Sequence, residues 1–73
     1  MPMNKSELLA TSPTIQGITE MVNKYYYSEG YSVDPYTLRI NHPTKDVNSK
    51  VSIVHKKGRY RLESKPDAET KRN

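Results

Sequence analysis

The sequence predicts an α+β domain: one amphipathic helix packed on a three-stranded antiparallel sheet, in the order α-β-β-β. Three observations carry that expectation. Apolar residues recur at helical spacing from Ile15 to Tyr25, alternate with period two over residues 36–41, and alternate again on both sides of Lys57-Gly58. A short N-terminal helical turn and a disordered C-terminal tail complete the expected architecture.

The first turn is read over residues 4–10. Asn4 can cap it, Glu7 stands three residues on as a capping box requires, and Leu8 and Leu9 give it something to bury. Ser12-Pro13 is the start of the main helix, because serine is a preferred cap and proline fits the first helical position. Ile15, Ile18, Val22 and Tyr25 then follow at spacings of three and four, with Met21 widening the stripe. Gln16, Glu20, Asn23 and Lys24 take the other side. Gly30 suits the position just after a helix end, which puts that end near Glu29.

Asp34-Pro35 breaks the helical pattern, since the residue before proline is pushed toward extended geometry. Tyr36, Leu38 and Ile40 alternate with Thr37, Arg39 and Asn41, as in a half-buried strand that stops at His42-Pro43. Residues 51–55 and 59–63 read as a hairpin. A two-residue turn at Lys57-Gly58 pairs Ile53 with Leu62 and His55 with Tyr60, and sets Lys56 opposite Arg59. Lysine resists positive φ, so a three-residue loop with a glycine bulge competes; it would carry one strand's side chains to the opposite face. In the two-residue register the helix covers Tyr36, Leu38, Ile40, Val51, Ile53, Tyr60 and Leu62. Residues 1–64 form one small domain in this reading, and the charged, apolar-poor residues 65–73 form the disordered tail.

Composition narrows the class. A chain of 73 residues supports one modest core. Leu, Ile and Val together number 13, below the roughly 20% at which disorder competes with folding. Six tyrosines and a net charge of only +4 argue for a folded middle, and a core this small would be helped by homodimerisation. With no cysteine there is no disulfide framework and no thiolate metal site. No run has the length of a signal peptide's apolar segment or of a membrane span, so the expected setting is the cytoplasm, away from membranes.

Charge is the most informative feature. Residues 1–38 carry −2, residues 39–61 carry +6, and residues 62–73 are neutral. On the predicted sheet, Arg39, Lys50, Lys56, Arg59 and Arg61 all point away from the helix, with Lys57 at the turn. Five cations on one open face form an electrostatic footprint for phosphate backbones. The competing reading is a solvated face whose cations discourage edge-to-edge pairing. The tyrosines cluster at residues 25–27, 31 and 36. Tyr25 continues the core stripe, while Tyr26, Tyr27 and Tyr31 are candidates for an interface. The competing reading makes them substitutes for the missing Phe and Trp.

His42 and His55 lack the partners a metal site needs, His42 capping a strand end and His55 lying beside Tyr60. No serine stands in a nucleophile-elbow pattern and no glycine run could cradle a phosphate. The sequence therefore implies a binding protein with no catalytic residues, metal or cofactor. Its expected partner is nucleic acid, in an accessory or regulatory role. The alternative is a regulator or inhibitor that docks on an acidic protein, by analogy of size with phage and mobile-element accessory products.

Overall fold

In a computed structural model, which describes residues 6–65, the chain is α+β, with one helix packed on an antiparallel sheet. The elements in chain order are β1 (Leu8–Ser12), α1 (Ile15–Tyr25), β2 (Ser32–Val33), β3 (Ile40–Asn41), β4 (Val51–Lys56) and β5 (Arg59–Ser64). The main sheet has the order β1-β5-β4, and β2 and β3 form a separate two-stranded ribbon. The start of the expected N-terminal turn, before residue 6, and the tail from residue 66 onward lie outside the described residues.

The hairpin follows the two-residue register. Ile53 pairs with Leu62, His55 with Tyr60 and Lys56 with Arg59. Lys57 (φ 52°) and Gly58 (φ 78°) both adopt left-handed backbone, the geometry of a type I′ turn, whose twist matches that of the flanking strands. Val51, Ile53 and Leu62 consequently share the buried face, and Leu62 is completely enclosed on the central strand.

The N-terminal segment departs from expectation. Residues 8–12 are a strand, β1, rather than part of a helical turn. Thr11 pairs with Arg61 and Ser12 with Tyr60, and a bulge falls between Leu8 and Ala10. The third strand of the main sheet is thus β1, not residues 36–41. Pairing with the central strand satisfies backbone groups that one isolated helical turn would leave open.

Helix α1 is shorter than the sequence suggested. Its cap is Thr14, whose hydroxyl accepts from the Gly17 amide at 2.9 Å, while Ser12 Oγ accepts from the Thr14 amide at 3.3 Å. Glycine is needed at position 17 by proximity: a Cβ there would lie 2.0 Å from Ser12 Oγ. The helix ends at Tyr25, before Glu29. Ser28 N–H donates to the Asn23 carbonyl and Tyr27 N–H to the Lys24 carbonyl, with Tyr27 at φ 52°. That is a Schellman ending in which tyrosine takes the place usually given to glycine.

The strand expected over residues 36–41 is mostly a turn. Asp34 Oδ1 accepts from the Tyr36 amide at 2.8 Å and the Thr37 amide at 3.3 Å, and Leu38 takes φ 62°. Local capture of amides by an aspartate outcompetes the ladder that the alternation suggested. Only Ile40 and Asn41 remain extended, paired with Val33 and Ser32.

Two asparagines tie this irregular half to the core. Asn48 accepts from the Ile40 amide at 3.0 Å and donates to the Ile40 carbonyl at 2.8 Å. Asn23 accepts from the Tyr31 amide at 3.0 Å and donates to its carbonyl at 3.3 Å. Each side chain does for one buried residue what a neighbouring strand would do. The core is Ile18, Val22, Tyr31, Val33, Ile40, Val47, Val51, Ile53 and Leu62. Tyr36, expected inside, is 93% exposed.

Candidate basic hairpin site

Side-chain alternation on β4 and β5 sorts the cations. Lys56, Arg59 and Arg61 lie on the face away from α1, with Ser52, Val54 and Glu63. Thr11, opposite Arg61 on β1, joins them. Lys56, Lys57, Arg59, Arg61 and Thr11 together line an open depression of about 370 Å³ at the hairpin end.

These cations differ in how free they are. Arg61 Nε donates to Glu63 Oε2 at 2.7 Å, so its charge is locally neutralised. Arg59 Nε donates to the Thr11 hydroxyl at 3.3 Å, which orients the guanidinium without cancelling its charge. Lys56 and Lys57 are exposed and form no ion pair with the described residues. Among the described residues, the depression thus presents three cations without an ion pair, Lys56, Lys57 and Arg59, at and beside the turn.

Arg39 and Lys50 do not belong to this group. Arg39 lies in the segment between β2 and β3, on neither sheet. Lys50 precedes β4, at the end of the sheet opposite the turn, where its carbonyl accepts from the Lys65 amide at 2.8 Å. Asp46 sits close enough to Arg39 and Lys65 to feel both charges. Its carboxyl is held below the ordinary range first by the Asn48 amide, then by the Asn48 side chain, with a smaller contribution from these cations. The single five-cation face therefore separates into a free cluster at the hairpin end and a partly balanced group at the other.

On the helix side of the same hairpin, the His55 and Tyr60 rings stack with centroids 4.2 Å apart and planes 11° from parallel. They form the non-hydrogen-bonded pair next to the turn, where cross-strand side chains approach most closely. His55 is exposed, and β4 is an edge strand.

The expected tyrosine interface changes membership. Tyr31 is buried at 4% exposure, packed on His42 with centroids 4.4 Å apart. Tyr26 is partly buried between Tyr25 and Tyr31. Burial, together with these two neighbours, raises the Tyr26 pKa. Tyr27 is 95% exposed because its backbone turns the side chain off the helix end. Tyr25, expected in the core stripe, is half exposed because α1 stops there. His42 is structural: Nδ1 accepts from the Thr44 and Lys45 amides, both at 3.1 Å.

Thr11 and Glu63 were not among the residues singled out from the sequence as candidates. Thr11 could not have been, since only the pairing of β1 with β5 brings it to Arg59. Among the described residues, no three His, Cys, Asp or Glu side chains come together, and no helix is long and apolar enough to cross a membrane.

These features define a small α+β module with an open, basic hairpin end. No family model, curated protein or solved structure matches the chain.

Proposed function

We propose that the protein is a non-enzymatic binding module that docks the basic end of its β4–β5 hairpin on the phosphate backbone of a nucleic acid, in an accessory or regulatory role. The observation that carries this reading is the grouping of Lys56, Lys57 and Arg59, none paired with an acid among the described residues, around one open depression. Phosphates favour such a surface because each cation engaged releases condensed counterions. Arg61 also lines the depression, with its charge held by Glu63.

The test is binding of short oligonucleotides, followed by fluorescence anisotropy at several salt concentrations. The wild-type protein binds at low salt and weakens as salt rises. Charge reversal at Lys56, Lys57 and Arg59 together abolishes binding, whereas reversal at Arg39 and Lys50 has a smaller effect. No binding at low salt overturns the proposal.

A second reading is favoured by the exposure of Tyr27 and Tyr36, at 95% and 93%. Exposed tyrosines are strong anchors at protein interfaces, so the module would regulate or inhibit an acidic protein partner. In that case Tyr27→Ala and Tyr36→Ala abolish recovery of a partner from nuclease-treated extract, and rim charges alter mainly the association rate.

A further inference from the structure

We infer that the hairpin end takes a single strand of nucleic acid rather than a duplex, with His55, backed by Tyr60, serving as the stacking platform for one base. This rests on the phosphate-docking reading above and names the ligand class within it.

Lys56 and Arg59 form the cross-strand pair beside the turn and point away from α1. His55 and Tyr60 form the next pair and point to the α1 side. Cations and aromatic rings therefore share one end of the hairpin but lie on opposite faces of the sheet. A ligand that uses both must pass around the β4 edge. Among the described residues no strand covers that edge, because β4 pairs there with β5 alone.

A flexible single strand can make that passage. Its phosphates can rest on Lys56, Lys57 and Arg59 while one base swings over the edge. A duplex cannot: its persistence length is about 150 base pairs, and its bases are already stacked and paired. Nor can the hairpin enter a major groove as a free ribbon. β1 flanks β5 as far as the Ser12–Tyr60 pair, so only the segment from Lys56 to Arg59 projects beyond the sheet.

The His55 ring is suited to receive the base. One of its faces lies on Tyr60 of the central strand, nearly parallel at 11°. His55 is itself exposed and stands on the edge strand, which leaves the ring accessible to a base. Tyr60 is partly buried against the core and backs the ring, so a base stacking on His55 extends a contact already formed. Any base has a π-face, so the platform is indifferent to sequence.

The experiment compares three probes of equal length by fluorescence anisotropy: oligo-dT, an abasic single strand and a duplex. Oligo-dT should bind tighter than the abasic strand by on the order of 5- to 150-fold, the range for one stacked base, and tighter than the duplex. His55→Ala should remove the difference between oligo-dT and the abasic strand. His55→Phe should restore it. Equal binding of oligo-dT and the abasic strand would overturn the stacking platform while leaving phosphate docking intact. Tighter binding of the duplex would overturn the assignment to single strands. Binding of none of the three would overturn phosphate docking itself, and the platform with it.

Discussion

Lys57→Asn separates the two roles of the turn, because it should raise stability and lower affinity at once. Lys57 sits at φ 52° in a type I′ turn, followed by Gly58 at φ 78°. For most L-residues the left-handed region costs roughly 1–2 kcal/mol, and asparagine is spared part of this by local hydrogen bonding. The variant should therefore gain about 0.5–1 kcal/mol, or about 3–6 °C in Tm for a domain of this size. Binding moves the other way. Each cation that engages a single-stranded phosphate adds about 0.7 to the slope of log K against log salt. With Lys56, Lys57 and Arg59 engaged, the wild-type slope is about −2, and affinity falls about 18-fold between about 50 and about 200 mM salt. With Lys57 removed, the slope is about −1.4 and the fall about 7-fold. Thermal unfolding by circular dichroism and anisotropy titration of oligo-dT read the two effects on one preparation. A fall in Tm would refute the turn geometry. A raised Tm with an unchanged salt slope would refute a phosphate contact by Lys57.

Asn48→Ala should destabilise the fold by about 2–4 kcal/mol, because it leaves both the N–H and the C=O of buried Ile40 unpaired; urea denaturation measures this. Tyr27→Gly should stabilise by about 1 kcal/mol in the same assay, since the side chain is almost wholly exposed and only its left-handed backbone is relieved. Asp34 and Asp46 both have carboxyls held below their ordinary value of 3.8, Asp34 chiefly by the Tyr36 amide and Asp46 chiefly by the Asn48 amide. A lowered folded pKa stabilises the fold at pH above 3.8, and that contribution disappears as pH falls through the lower folded value. Tm should thus drop on acidification below about pH 4, and the drop should be shallower in an Asp34→Asn, Asp46→Asn double variant.

What could be read from the chain follows how local each determinant is. The β4–β5 hairpin was legible because its two strands are adjacent and their apolar residues match across one turn. Pairing Ile53 with Leu62 places Leu62 inside, and the reverse face then has to carry Lys56, Arg59 and Arg61. The His55–Tyr60 neighbourhood follows from the same register. β1 was not legible. Its partner, β5, lies about fifty residues away, and the local signals at Asn4 and Glu7 resemble a helix cap. Without β1, Thr11 has no route to Arg59. The alternation over residues 36–41 misled for the opposite reason: Asp34 offered a nearer partner for the amides than any strand could. That turn removes Arg39 from the sheet, and the five-cation face shrinks to a cluster at one hairpin end. The shrinkage sharpens the functional argument. A charged face along a whole strand is a common solvated surface, whereas three cations gathered at one turn without an ion pair among the described residues, with the His55–Tyr60 stack on its reverse side, would give a ligand both a charge to meet and a plane to rest on.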